Sequence, residues 1–366
     1  MAGNTPLVVQ PMIVGAMVDL VGLSERQAGV LASVELGGLT LGILGLIRAA
    51  TLVPRPVLGV FAIVTIVTAN VLTCFVGSFE WLLPLRALSG VGAAAALSVY
   101  LYMAAGDSKP EHVFAVVNAI SIAYSGVLTL ITPFLLRVAG LPGILLTLSL
   151  ITALALIIVP WTRAPATSET KAVPALQLSV PTQVVPLLAM MLLLYTGHGA
   201  IWAFQERIGV ATGLSEYAVG KWIGLSMLVW GVGGSLLARV LGLALGRVWP
   251  QLLSLGASVL AVLVLVFGAG PFAFATSCGL IAFSWFYGLP YQMGLLAARD
   301  PKGRAALAGV MMSTGGMTLG PSIAAALLIG TSHWPIGIFA GICYILALAI
   351  AVPGARRVSM PTASAT

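Results

Sequence analysis

The sequence predicts an all-α membrane protein with about twelve transmembrane helices in two pseudo-symmetric six-helix bundles. Three observations predict this fold class. Of the 366 residues, 60% are hydrophobic and only 7% are charged, whereas a soluble globular chain has about 25% charged residues. Apolar runs of the roughly 20 residues that a spanning helix needs recur along almost the whole chain. Short sequence matches also relate its two halves.

We predict twelve spans from these apolar runs and the loops that flank them. In chain order they cover residues 5–23, 27–47, 57–77, 80–104, 113–137, 141–162, 184–205, 217–240, 249–269, 271–297, 304–330 and 335–353. The polar, proline-bearing segment 164–183 has the composition of a linker. We therefore expect one bundle over residues 1–163, a cytoplasmic linker over 164–183 and a second bundle over 184–366.

The basic residues alternate between the loops, and this alternation predicts the orientation. The richer set of loops holds Arg48, Arg55, Lys109, Arg163, Lys171, Arg239, Arg247, Arg299, Lys302, Arg304, Arg356 and Arg357, and the other set holds Arg26, Arg137, Arg207 and Lys221. Basic loops stay in the cytoplasm, so an even span count places both termini there, in a multi-pass inner or plasma membrane protein. The net charge of +7 follows from this bias, and no nucleic-acid partner is expected.

Two pairs of loop sequences indicate an internal repeat. Residues 22–29 read GLSERQAG and residues 213–220 read GLSEYAVG, while residues 104–109 read AAGDSK and residues 297–302 read AARDPK. Both pairs are offset by about half the chain. An offset of six spans keeps the orientation of the copy, which is the parallel repeat of transporters built from two facing bundles.

The chain resembles the major facilitator superfamily. The 6 + 6 arrangement, the short linker and the stretch RALSGVGAA in span 4 carry the resemblance, since that stretch looks like the family's span-4 motif of an arginine followed by spaced glycines, here Arg86, Gly90 and Gly92. The resemblance covers the whole chain. It implies a transporter that works by alternating access, with the solute bound between spans 1, 4 and 5 of one half and 7, 10 and 11 of the other.

Three departures from the family's pattern bear on mechanism. The loop between spans 2 and 3 keeps Arg48 and Arg55 but lacks the acidic residue of the family motif, and the loop between spans 8 and 9 lacks it too. The Gly-Pro motif of span 5 that marks many antiporters is missing, and only Pro133 is present there. A Gly-Pro pair, Gly320 and Pro321, occurs in span 11 instead. The missing loop acids bear on the family's gating ion network, and the missing span-5 motif favours uptake slightly over drug/proton antiport.

Glu35 in span 2 and Arg86 in span 4 are the predicted proton-coupling residues. Ionisable groups inside a membrane are costly and are functional candidates for that reason. A buried carboxyl can bind and release a proton, whereas an arginine keeps its charge and needs a partner. Both residues lie toward the same side of one half, so we expect them to interact. The resemblance extends to Arg86 the family's association of the span-4 arginine with proton coupling. The alternatives are a structural glutamate and an arginine that reaches the interface.

His198, near the middle of span 7, is the third intramembrane ionisable candidate, because imidazole can titrate near neutral pH or donate to a substrate. The alternative is that His198 only packs against a neighbouring helix. Further substrate-binding candidates are polar or aromatic residues on the spans that line the cavity in the family: Gln10, Tyr100, Asn118, Tyr124, Tyr195, Trp202, Gln205, Trp285, Tyr287, Tyr291 and Gln292. Four acids near the outer loops are expected to be solvated: Asp19, Glu25, Glu206 and Glu216.

The predicted function is secondary active transport of a small organic solute by a monomer, driven by protons. No cofactor or metal is expected, because the chain has no GxxxxGK[ST] phosphate loop and no Cys/His ligand pattern. Efflux of hydrophobic compounds is the alternative within transport. From other classes, a non-transporting sensor and an intramembrane enzyme remain open, although no HExxH or paired-aspartate spacing supports an enzyme and no catalytic residue is assigned.

Overall fold

The computed structural model describes residues 5–105, 110–162, 180–242, 244, 246, 248–300, 303–328 and 332–359, and its elements there are helical. The α-helices are α1 Thr5–Val8, α2 Gln10–Asp19, α3 Glu25–Leu52, α4 Arg55–Thr73, α5 Phe79–Ala105, α6 Pro110–Leu154, α7 Val185–Ala211, α8 Glu216–Ser226, α9 Val232–Leu241, α10 Val248–Phe267, α11 Gly270–Arg299, α12 Arg304–Leu327 and α13 Trp334–Ser359. Two 3₁₀ segments cover Ala155–Thr162 and Thr182–Val184, and a π-helical turn, Met227–Gly231, joins α8 to α9.

Ten helical segments in the described part are long and apolar enough to cross a membrane. Nine of them each cover one predicted span, with ends that differ by a few residues. The first predicted span differs, because the chain there forms two short helices that are interrupted at Val9 and end at Asp19 rather than residue 23. The predicted linker lies mostly outside the described residues, since 163–179 are not among them.

The predicted fifth and sixth spans differ most, because they run together in α6 without a loop. At about 1.5 Å per residue, a segment of 45 residues is far longer than the roughly 30 Å hydrocarbon core of a bilayer. The helical geometry is broken at Gly140, with φ 60° and ψ −157°. Only glycine adopts such a φ without strain, and Pro142 two residues later cannot donate a helical hydrogen bond.

The internal repeat reappears in the helix starts that follow Gly22 and Gly213. Both glycines have positive φ, 79° and 88°. Ser24 Oγ accepts from the Gln27 backbone N–H at 3.2 Å while the Gln27 side chain accepts from the Ser24 N–H at 3.0 Å, which is a capping box. Ser215 Oγ accepts from the backbone N–H three residues later at 3.3 Å. The matched sequences therefore fold into matching caps. The second pair of matches lies partly outside the described residues.

The chain divides into two compact units. Unit 1 comprises Met1–Ala175 and the short segment Trp202–Arg207 of α7, and unit 2 comprises Leu176–Ile201 and Ile208–Thr366. Helices α3, α4 and α5 pack together in unit 1, and α10, α11 and α13 pack together in unit 2. The predicted division into 1–163, 164–183 and 184–366 stays a prediction.

Many Ser and Thr hydroxyls donate to the carbonyl one turn earlier in their own helix, as Thr73 does to Ala69 at 2.7 Å and Thr129 to Ser125 at 2.9 Å. Water is absent from a bilayer core, so a polar group there needs an internal partner. These hydroxyls therefore have their hydrogen-bond partners within their own helix. The polar groups that bond between helices form a much smaller set, and they mark the candidate sites.

Candidate functional site

Glu35 on α3 and Arg86 on α5 form a buried ion pair in unit 1. Arg86 Nη1 lies 3.4 Å from Glu35 Oε1, and the two side chains are 1% and 3% exposed. Ser89, one turn after Arg86, donates its hydroxyl to the same Glu35 oxygen at 2.6 Å. Arg86 is therefore a buried side chain and does not reach the interface. The structure brings the two predicted coupling residues together, and their role in coupling stays a prediction.

Helix α4 supplies the remaining partners of Arg86. Nη2 donates to Thr73 Oγ1 at 2.6 Å, to Asn70 Oδ1 at 3.1 Å and to the Ala69 carbonyl at 3.4 Å. The Arg86 Nε–H and the Asn70 Nδ2 group are buried without a hydrogen-bond partner. Arg86 thus has two kinds of acceptor, an ionisable one on α3 and neutral ones on α4.

Glycines allow α3 and α5 to approach closely enough for this pair. A Cβ at Gly90 would collide with the Glu35 carbonyl and would lie 2.8 Å from the Leu39 nitrogen, and a Cβ at Gly42 would lie 2.6 Å from the Ala94 Cβ. Small residues let helix backbones approach in this way. The span-4 stretch therefore supplies both the arginine and the contact surface that places it against Glu35.

Sequence reasoning missed Asn70, Thr73 and Ser89. Neutral polar residues are common in membrane spans and do not attract attention singly. The available signal was spacing, because Asn70 and Thr73 are three residues apart and so lie on one face of α4. Nothing in the sequence showed that this face meets Arg86.

In unit 2, His198 lies in an aromatic cluster with Tyr195, Trp285 and Tyr344. Its ring centroid is 5.8 Å from that of Tyr195, 5.7 Å from that of Trp285 and 5.3 Å from that of Tyr344. Gly197 admits the Tyr344 ring, since a Cβ there would lie 2.5 Å from Tyr344 Cε1. The structure thus brings together three predicted substrate-binding residues. Tyr344, in the apolar run of α13, was not predicted.

This aromatic cluster contains unused hydrogen-bonding groups. His198 Nδ1 lies 3.0 Å from the Leu194 carbonyl, which assigns the ring proton to Nδ1 because a carbonyl only accepts. The buried Nε2 then remains an acceptor, and it has no partner. The Tyr195 and Tyr344 hydroxyls are also buried without partners. Aromatic walls with a few convergent polar groups are typical of small-molecule sites.

Three further predicted residues of unit 2, Tyr287, Tyr291 and Gln292, lie on α11. Tyr287 stacks on Phe283 at 4.9 Å between ring centroids, and Tyr291 donates to the Ala238 carbonyl at 3.3 Å. Gln292 is fully buried, and neither amide atom has a partner; the same is true of Gln251, which is 1% exposed. Gln251, which lies on α10, was not predicted.

The other predicted residues lie in unit 1. Gln10 is buried and donates to the Ala32 carbonyl at 3.3 Å, and the Trp202 indole N–H donates to the Leu7 carbonyl at 3.4 Å. Gln205 is also buried. The remaining three are partly exposed side chains on α5 and α6: Tyr100, Asn118 and Tyr124.

The expectation that Glu206 is solvated is wrong. Glu206 is 1% exposed and accepts from Arg207 Nε at 2.6 Å and from Nη2 at 3.0 Å. Arg207 also makes a bidentate pair with Asp19 on α2, in which Nη1 lies 2.8 Å from Oδ1 and Nη2 contacts Oδ2. Proximity to a loop in sequence suggested exposure, but the Glu206 carboxyl lies against Gly15 of α2, where a Cβ would collide with it. Glu216, by contrast, is exposed as expected.

Metal ligation has no geometric support in the part of the chain that the structure describes, where no three His, Cys, Asp or Glu side chains are grouped to hold an ion. The sites therefore offer proton binding, ion pairing and hydrogen bonding.

Comparisons with known proteins identify the fold. No protein-family model matches the sequence, and no curated protein does. Among solved structures, a single-residue variant of the nucleoside transporter NupG is similar with a TM-score of 0.71 at 13% identity, covering 95% of this chain and 98% of that chain. Another NupG structure gives 0.68 at 12%, covering 95% and 97%. At such identities the similarity shows the fold alone: this chain has the fold of these transporter structures, and ten of its described helical segments can cross a membrane.

Proposed function

We propose that the chain is a proton-coupled secondary active transporter of a small organic solute, in which Glu35 carries the coupling proton and Arg86 is its counter-ion. The buried Glu35–Arg86 pair is the observation that carries the proposal. A structural protein has little reason to bury an ion pair, because well-packed apolar residues are often as stable or more so. A carboxyl that must gain and lose a proton needs such a partner.

The two kinds of acceptor around Arg86 explain how a proton changes the packing. When Glu35 is ionised, it holds Arg86 and with it α5 against α3. When Glu35 binds a proton, the guanidinium keeps its charge but retains the neutral acceptors Asn70 and Thr73 on α4. The proton thereby shifts the balance of contacts from α3 toward α4. Alternating access of the two halves is the movement that we propose this shift favours.

We also propose twelve spans in two bundles with both termini in the cytoplasm. Ten spans follow from length and composition, and we count α6 as two spans joined at Gly140 and take α1 and α2 together as the first. The kink in a 45-residue helix supports this count. The matching caps at Ser24 and Ser215 support the parallel repeat.

The proposed solute is a neutral heteroaromatic compound with hydroxyl groups, of which nucleosides are the first to test. The NupG similarity supports this choice. So do the aromatic rings around His198 and the unpartnered Tyr195 and Tyr344 hydroxyls. Stacking and neutral hydrogen bonds recognise such a solute without a compensating charge. Efflux of hydrophobic compounds is the second candidate, favoured by the aromatic walls alone.

The test is uptake of radiolabelled nucleosides into proteoliposomes, driven by an inward proton gradient. Glu35→Gln should lower gradient-driven uptake at least about tenfold, because glutamine cannot exchange a proton, while solute exchange at equal pH should persist. Glu80→Gln is the matched control, since Glu80 is an exposed acid at the start of α5. Undiminished gradient-driven uptake by Glu35→Gln would refute the coupling residue. Absence of uptake by the unmodified protein would refute nucleosides as the solute.

A further inference from the structure

Helices α10 and α11, both in unit 2, are hydrogen-bonded to each other through serine hydroxyls. Residues 268–269 alone connect the two helices, so they run antiparallel. Ser258 Oγ on α10 lies 2.5 Å from Ser284 Oγ on α11. Ser254, one turn earlier on α10, donates to the Ser284 carbonyl at 2.9 Å. The three serines are at most 1% exposed, so these polar contacts are buried.

Gly288, one turn after Ser284, continues the polar contact along α11. A Cβ at Gly288 would collide with Ser254 Oγ and would lie 3.4 Å from Gln292 Nε2. The Ser254 hydroxyl and the Gln292 amide group therefore lie beside the same point of the helix contact. Any side chain at Gly288 would displace them.

The helix register places Gln251 next in this row. The contact passes one turn back along α10, from Ser258 to Ser254, as it passes one turn forward along α11 to Gly288. One further turn in each direction reaches Gln251 and Gln292. Gln251 precedes Ser254 by three residues and so shares its face of α10. We call the five polar side chains of this row the polar strip: Gln251, Ser254, Ser258, Ser284 and Gln292.

The two glutamines of the polar strip have hydrogen-bonding groups that the protein does not use. Gln251 is 1% and Gln292 0% exposed, and all four of their amide nitrogen and oxygen atoms are buried without a partner. Each amide offers two N–H donors and one carbonyl acceptor. Burying such groups unpaired is costly, and a bound molecule is a common reason for it in native proteins. A ligand that both donates and accepts would satisfy them.

The chemistry of the polar strip favours a neutral ligand. Its side chains are hydroxyls and primary amides, and α10 has no charged residue. The one charged residue of α11 is Arg299, two turns beyond Gln292 at the end of the helix. A cation in the polar strip would thus be buried without a counter-ion, which is costly.

We propose that the polar strip binds ordered water between α10 and α11, with Gln251 and Gln292 as its ligands. A water molecule both donates and accepts, and a buried one typically makes about three hydrogen bonds to otherwise unpaired groups. Ser254 is the third ligand, because its hydroxyl and Gln292 Nε2 lie beside the same Gly288 position. This site goes beyond the proposed transport function and does not depend on it.

Water enters the polar strip from the end where α10 begins. Gln251 is the fourth residue of α10, so about 5 Å of helix separates it from the start of α10, on the side predicted to be cytoplasmic. Farther along α10, Ser258 is bonded to Ser284. The two serines use each other there, so the water site is at the glutamine end of the strip.

NMR of the full-length protein in detergent, with ¹⁵N in the glutamine side-chain amides, tests the site through magnetisation transfer from water to each N–H group. We expect transfer to Gln251 and Gln292 although both are buried. Loss of a signal in Gln251→Met or in Gln292→Met assigns it, and one folded variant is enough. Gln10 is the matched control, since it is 2% exposed and its Nε2 donates to the Ala32 carbonyl instead. Transfer to neither strip glutamine, or only as weak as at Gln10, would overturn the proposal.

Thermal stability in detergent is an independent test. Gln292→Met keeps the length of the side chain but removes one ligand of the water, so we expect a lower Tm than in the unmodified protein. Leu253→Met is the matched control, because Leu253 is a 46% exposed residue of α10. A higher Tm in Gln292→Met would show that the amide has no partner at all and would refute bound water. A Tm of the unmodified protein that rises in sodium chloride over choline chloride, but not in Gln292→Met, would replace water by a cation.

Discussion

Arg86 keeps its charge in every state of the protein, and this determines what its neighbours must do. Its side chain is 1% exposed, so neither water nor a lipid headgroup shares the charge. Glu35 is its one anionic partner among the described ion pairs, and Asn70 and Thr73 are neutral. The stability of this region therefore depends on the carboxyl and the guanidinium as a pair rather than on either alone.

Removing one member of the pair should harm the protein more than removing both. Arg86→Gln leaves an unpaired buried carboxylate, and loss of one partner of a buried ion pair costs about 3–5 kcal/mol. The double variant Glu35→Gln, Arg86→Gln leaves no charge to compensate. We expect its apparent Tm in detergent at pH 7 to lie above that of Arg86→Gln. A double variant less stable than Arg86→Gln would contradict the pairing.

At the residue scale, the sequence identifies ionisable candidate residues better than it predicts whether a given side chain is buried. The cost of a charge in lipid identified Glu35, Arg86 and His198 before any geometry was known. The same reasoning misjudged Glu206, because distance along the chain from a loop does not reveal which helix packs over a side chain. Gln251 and Tyr344 were missed for a similar reason, since a single neutral polar residue carries no signal until its neighbours are known.

At the scale of helices, the α3–α5 contact is the element on which the ion pair depends. Gly90 and Gly42 have no side chain, and the opposing helix occupies the space of the missing Cβ atoms. Backbone atoms, which cannot rotate away, line that space at Gly90. The distance between α3 and α5 can therefore change little, and this distance sets the separation of Glu35 and Arg86.

Gly90→Ala should force α3 and α5 apart and weaken the pair. Overpacking a well-packed contact costs about 1–3 kcal/mol, so we expect a lower Tm in detergent together with reduced gradient-driven uptake. Gly45→Ala on α3 is the matched control, because a Cβ there would meet no atom within 4 Å. A Gly90→Ala protein as stable as the Gly45→Ala protein would show that the two helices are not in close contact.

Helix positions were the most predictable level of this structure. Apolar runs predict the starts and ends of most spans to within a few residues. Backbone groups at a helix end lack hydrogen-bond partners, so a helix ends outside the apolar core of the membrane. The sequence divides the run over residues 113–162 into two spans, whereas the structure has one long helical segment there with a kink at Gly140 and no loop. The break at Val9 and the π-helical turn at Met227–Gly231 also have no composition signal.

At the scale of the whole molecule, the repeat and the loop charges together predict an orientation that the fold alone does not give. The NupG structures show the fold of this chain, and the sequence repeat predicts equal topology for both halves. Which face is cytoplasmic depends on Lys and Arg in the loops. The decisive point is whether the chain crosses the membrane twice within α6.

Reporter fusions should resolve the topology at α6. Alkaline phosphatase, which is active only outside the cytoplasm, is fused after residue 140 or after residue 163. Two spans joined at Gly140 predict an active fusion at 140 and an inactive one at 163. Green fluorescent protein fused after residue 366 should be fluorescent. Equal phosphatase activity at both α6 positions would mean that the segment crosses the membrane once.

The described helices are joined by short connections on the side predicted to face outward, and this limits what can bind there. Among the described residues, the connections on this side are 20–24, 74–78, 212–215 and 268–269, and at Gly140 there is no loop. The connection over 328–333 lies partly outside the described residues. An antibody, a phage tail fibre or a protease needs a protruding or extended segment to grip, and these turns offer almost none. Such connections are also too short to fold over a bound molecule as a lid. A molecule that acts at these described connections must therefore do so through the helix ends themselves.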